Sequence, residues 1–73
     1  MTPETASIAI KECLKEIRRR LDQAAAIARA AEACADAGNT DQAITIVLDI
    51  EELNYEANTF LNAAGLMKRS ADL

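Results

Sequence analysis

Apolar side chains recur along this chain at alternating steps of three and four residues, in two runs separated by one polar break at Gly38-Asn39-Thr40. The first run is Ile10, Leu14, Ile17, Leu21, Ala24, Ala28, Ala31 and Ala35. The second is Ala43, Ile46, Ile50, Leu53, Ala57, Phe60, Ala64 and Met67. Such steps gather residues on one side of a helix and repeat every seven positions. The pattern predicts an all-α fold, a two-helix antiparallel hairpin that is coiled-coil-like with an alanine-rich seam. A single domain over 1–73 is expected, with helix 1 at about 3–37, the turn at 38–40 and helix 2 at about 41–69.

Residues at the ends of the runs agree with this reading. Thr2 suits an N-cap, Pro3 the first helical position, and Glu4 the positive end of the helix dipole. Gly38 suits the left-handed residue that closes a helix. Thr40 is expected to cap the second helix, with Asp41 in its first turn. So short a connection leaves only antiparallel neighbours. Gly65 is a weak point, since an interior glycine costs about 1 kcal/mol relative to alanine. The apolar beat nevertheless reaches Met67, and Lys68 and Arg69 suit a negative helix end, so the helix is expected to pass through. Ser70 to Leu73 are expected to fray.

Folding at Gly38 and Asn39 opposes positions whose numbers add to about 77 or 78. Ala31 then faces Ile46, Ala28 faces Ile50 and Ala24 faces Leu53. Toward the open end, Leu21 faces Ala57 and Leu14 faces Ala64. Large against small keeps the volume of each layer nearly constant. Ile17 with Phe60, and Ile10 with Met67, put large on large and are expected to splay the open end.

One seam does not consume all the apolar residues. Cys13, Ile27 and Cys34 form a row beside the first stripe. Val47 and Leu61 lie beside the second, with Ile44, Leu48, Tyr55 and Leu66 further round. Seventy-three residues bury only about 60% of their extended surface, a thin basis for stability. Domains this small lean on disulfides, a metal, oligomerisation or very regular packing. Two cysteines and no histidine turn the expectation toward the last two. We therefore expect a homodimer forming a four-helix bundle, with Ile27, Cys34, Ile44, Val47, Leu48 and Leu61 as interface candidates. A helix of another protein is the other partner that such a surface suits.

The formal charge of −4 argues against general affinity for nucleic acid. Arg18, Arg19 and Arg20, beside Lys11 and Lys15, are the candidate phosphate-binding residues. They support an alternative reading as a nucleic-acid-associated regulator acting as a dimer. Against it, Glu16 lies four residues before Arg20 and Asp22 four after Arg18, the spacing of ordinary helix surface pairs. Arg20 is also placed to meet Glu56 across the seam.

Catalytic chemistry finds little purchase. Cys13 and Cys34 lie roughly 31 Å apart along one straight helix, so they cannot bridge within a chain. Glu12, Glu16, Asp49, Glu52 and Glu56 are the carboxylates available to an oxygen-ligated metal, and the register does not bring them together. There is no histidine base, glycine-rich phosphate loop or nucleophile motif. No catalytic residue, metal ligand or cofactor is therefore expected. The functional expectation is a small non-enzymatic protein that acts through protein–protein association, as an adaptor or regulator. The chain shows no basic stretch leading into an apolar core, and no run of the roughly 20 apolar residues that span a bilayer. A cytoplasmic location without membrane contact is the corresponding expectation.

Overall fold

The structure, a computed structural model, describes residues 1–71. It is an all-α helical hairpin. Pro3–Asp36 form α1, Thr40–Val47 form α2 and Ile50–Ser70 form α3. The second arm, α2 followed by α3, runs back along α1. The result is a rod with extents of 54 × 14 × 12 Å and a radius of gyration of 16.6 Å. A compact domain of this length would have a radius of about 11 Å.

Local chemistry accounts for each helix end. Thr2 is extended and its hydroxyl accepts from the Thr5 backbone N–H at 3.1 Å, with Pro3 following at the first helical position. At the other end of α1, Gly38 takes φ of +92°, a left-handed conformation that glycine adopts without a Cβ clash. Its N–H donates to the Ala35 carbonyl at 2.9 Å, and the Asn39 N–H reaches back to the Cys34 carbonyl at 3.1 Å. These two bonds make a Schellman closure, which satisfies carbonyls the helix end would otherwise leave open. The cap of the second arm is Asn39 rather than Thr40. Its side-chain oxygen accepts from the Gln42 N–H at 3.4 Å, and Thr40 becomes the first helical residue. Closing α1 at Gly38 leaves the next residue outside the helical region and free to cap, so one residue serves each purpose.

The second arm is not the single helix expected over 41–69. Leu48 and Asp49 tighten to ψ of −22° and −17°, values of a 3₁₀ turn. The Asp49 N–H accordingly donates to the Ile46 carbonyl, three residues back. The preceding Ile44-Thr45-Ile46-Val47 run is β-branched throughout, and such side chains crowd the previous helical turn. Thr45 also donates its hydroxyl to the Asp41 carbonyl at 3.2 Å, a back-bond that tends to bend helices. The break does not disturb the stripe, because Ile46 and Ile50 stay on the same side of it. α3 passes through Gly65 and ends at Ser70. Fraying is absent at Ser70, and Ala71 is buried; the remainder of the expected frayed end, 72–73, lies outside the described residues.

Burial locates the seam. On the second arm, Ala43, Ala57, Ala64 and Ala71 are buried, and Ile46, Ile50, Leu53, Phe60 and Met67 are half-buried between them. That is the expected stripe with one more member. On α1 the expected stripe holds in part. Ile10, Ile17, Ala24 and Ala31 face the partner arm and Ala35 is half-buried, but Leu14 and Leu21 are 54% and 50% exposed. Ala28 is exposed as well. In their place the seam uses the next row round: Ala6 and Cys13 are buried, while Arg20, Ile27 and Cys34 are half-buried. The expected Leu21–Ala57 and Leu14–Ala64 layers therefore do not form.

The buried set is seven alanines and Cys13, with no larger side chain among the described residues. With this row in place, seam levels follow numbers adding to about 77. Ala6 is level with Ala71, Cys13 with Ala64, and Arg20 with Ala57. The helices thus approach over small contacts, while isoleucine, leucine, phenylalanine and methionine stems cover the edges. Close approach gains dispersion along the whole length without a thick core.

Candidate functional site

The two flanks of the hairpin are built from different residue types, and Arg20 identifies which flank is which. Residues just before one set of seam positions line one flank on both arms; residues just after the alternate set line the other. Glu16 precedes Ile17 and Glu56 precedes Ala57. Both carboxylates meet Arg20: Nη1 donates to Glu16 Oε2 at 2.5 Å, and Nε donates to Glu56 Oε1 at 3.1 Å. Arg20 Cζ lies 4.6 Å from the centre of the Phe60 ring, within cation–π range. The Arg20 side chain is 15% exposed. Arg19 adds a further bond to Glu16 at 2.7 Å.

This cluster closes its flank. Hydrogen bonding from Arg20, aided by the nearby charges of Arg19 and Arg20, holds the Glu16 carboxyl below its ordinary value. Hydrogen bonding to Glu16 in turn raises the Arg20 guanidinium. A paired cluster of this kind lets a charged residue occupy a seam position that hydrophobicity alone would deny it. Around it the same flank carries Glu12, Gln23, Asp49 and Glu52 together with Ala9, Ala30 and Ala63.

The opposite flank carries the row that the seam left out. On α1 this is Leu14, Leu21 and Ala28, with Ala35 half-buried at the turn end; on the second arm it is Val47, Asn54, Leu61 and Lys68. Ile44, Glu51, Asn58 and Gly65 form the neighbouring outer row. Leu14, Leu21, Ile44 and Leu61 are each at least half exposed, and no cavity receives them within the hairpin. An apolar strip, interrupted on the second arm by Glu51, Asn54, Asn58 and Lys68, thus runs along one side of the molecule. The other side holds the Arg20 ion-pair cluster.

The interface candidates divide between these surfaces. Ile27 and Cys34 are half-buried on the seam inside the hairpin, where the Cys34 thiol donates to the Asn39 carbonyl at 3.5 Å. Ile44 and Leu61 lie exposed on the apolar flank, and Val47 is half-buried at its edge. Leu48 is exposed on the outer side of the second arm at the 3₁₀ turn. Leu14 and Leu21 belong with this surface; periodicity places them on the seam because it does not separate two adjacent heptad rows.

The basic stretch does not form one surface. Consecutive helical residues point about 100° apart, and Arg18, Arg19 and Arg20 fan accordingly. Arg18 reaches Asp22 at 3.7 Å, Arg19 reaches Glu16, and Arg20 turns into the seam. Glu16 and Glu56 do converge, but around a guanidinium that neutralises them. Among the described residues, no three cysteine or carboxylate side chains are grouped to hold a metal ion. Cys13 and Cys34 are free thiols. No helix among the described residues is long and apolar enough to cross a membrane. Neither a protein-family model, nor a curated protein, nor a solved structure matches the chain.

Proposed function

We propose that the protein is a non-enzymatic association module whose working surface is the apolar flank, and that it assembles into a homo-oligomeric helical bundle serving as an adaptor or regulator in the cytoplasm. A single observation carries this reading. Between two adjacent rows of α1, the one with Leu14 and Leu21 faces outward, while the row with Arg20 faces the partner arm. A chain that folded only for its own stability would bury the leucines.

The surface area supports the same reading. A folded monomer of 7.9 kDa is expected to expose about 4,400 Å², whereas this hairpin exposes 5290 Å². The excess is close to the roughly 800 Å² that each partner hides in a standard interface. Cytoplasmic conditions would keep both cysteines as thiols. Sedimentation equilibrium over a wide concentration range tests the proposal. The expected result is a dimer that dissociates on dilution, with a melting temperature that rises with concentration. Replacing Leu14 and Leu21 together by glutamate is expected to give a monomer of unchanged helicity. A wild-type chain that sediments as a monomer at every concentration would overturn the reading. A nucleic-acid role has no comparable support, since Arg20 is taken up by Glu16, Glu56 and Phe60.

A further inference from the structure

The apolar flank is polarised in charge along its length. Toward the open end of the hairpin its rims carry Lys11, Arg18 and Lys68, with Glu4 in the first turn as the exception. Toward the Gly38 turn they carry Glu32 and Glu51. Large apolar side chains occur along the whole strip: Leu14 and Leu61 toward the open end, Leu21 near the middle, and Ile44 and Val47 toward the turn.

We infer that the occupant of this flank is a second copy of the same chain, laid antiparallel so that the turn of each hairpin covers the open end of the other. This inference rests on the association reading and adds the face and the direction. A two-fold axis perpendicular to the rod puts every contact in twice and makes the flank complementary to itself. Under that operation α1 of one copy lies along α1 of the other, and Lys11 of each comes level with Glu32 of its partner. Leu21 falls beside the axis against its own copy, and Leu14 comes level with Ala28. A parallel arrangement fails, because it brings Lys11 of one copy level with Lys68 of the other. The footprint is adequate. A strip 54 Å long and 14 Å wide covers about 750 Å² per copy, near the roughly 800 Å² of a standard interface.

Carbodiimide cross-linking of the unmodified protein, followed by peptide mass spectrometry, tests the direction. Lys11 and Glu32 lie roughly 31 Å apart on one continuous helix, too far for a zero-length link within a chain. A Lys11–Glu32 link in the dimer fraction is therefore expected only if two copies run antiparallel. Glu32→Lys is expected to weaken the dimer about tenfold, since each change appears twice, and adding Lys11→Glu is expected to restore most of that loss. A dimer fraction that yields no Lys11–Glu32 link would overturn the direction and leave the association standing. A wild-type chain that is monomeric throughout would overturn both.

Discussion

The two flanks of this hairpin solve opposite problems with the same heptad spacing. On one, a charged residue is drawn into the seam and held there by two carboxylates and an aromatic ring. On the other, leucines that could have filled the seam are left in water. The first arrangement is complete within one chain, since no buried side-chain polar atom among the described residues lacks a partner. The second is incomplete within one chain. The difference teaches that seam membership did not follow hydrophobicity. Arg20 lays its stem along the contact and keeps its head at the polar edge.

The largest effect is expected where both flanks depend on the seam itself. Ala31 is 6% exposed, and Ala31→Leu would force the arms apart. Overpacking of this kind costs about 1–3 kcal/mol, sometimes more, a large share of what so small a domain can hold. A sharp loss of cooperative melting by circular dichroism is the expected outcome. Melting unchanged from the wild type would mean that the arms are not in close contact.

A smaller and more discriminating effect separates the flanks. Arg20→Ala is expected to lower the melting temperature by a few degrees at every protein concentration, because the lost bonds lie within one chain. Leu21→Ala is expected to act only where the protein associates, leaving the dilute hairpin nearly unchanged. Equal behaviour of the two variants across a dilution series would erase the distinction between a closed and an open flank.

Acid sharpens the description of the closed flank. Since Arg20 and Arg19 lower the Glu16 carboxyl from its ordinary 4.5 in the folded chain, its contribution is fully present above that value. It is lost as pH falls below 4.5 and through the lower folded value. Glu16→Gln removes this contribution, so the stability difference between wild type and variant is expected to shrink on acidification over that window. A difference that stays constant from neutral pH down through the acid range would show that the Glu16–Arg20 pair does not stabilise the folded state.

Much of this fold was readable from residue order, and the failures have physical causes. The second-arm stripe was legible because Ile46, Ile50, Leu53, Phe60 and Met67 contrast strongly with the polar residues between them. The Gly38 closure was legible because a left-handed residue leaves few candidates other than glycine. Asn39 and Thr40 are both competent caps, and only the Schellman geometry chooses between them. On α1 the seven-residue beat is shared by two adjacent rows through Ile10, Ile17, Ala24 and Ala31. Apolarity favours the row with Leu14 and Leu21, and the pattern holds no information on how closely the helices approach. The Arg20–Glu56 pair was anticipated by register, but its consequence, rotation of α1 by one row, was not. The 3₁₀ turn at Leu48 and Asp49 had a signal in the four β-branched residues before it.

Gly65 offers the smallest expected effect and bears on the apolar flank. It sits inside α3, and a Cβ added there would meet only the Arg69 Nη1 atom, at 3.6 Å, an ordinary contact with the end of a flexible side chain. Gly65→Ala should therefore stabilise the hairpin by about 0.5–1 kcal/mol, through the lower backbone entropy of the unfolded chain. Denaturant unfolding of dilute protein measures this directly, and a destabilised variant would show that α3 is not regular at that point. The position also lies in the outer row of the apolar flank, at the open end, where an antiparallel second copy would bring the Ile44 region of its turn half. Association measured on the same variant then separates two demands on one residue. If the dimer weakens while the hairpin strengthens, the absent side chain serves the approach of another molecule rather than the fold of its own.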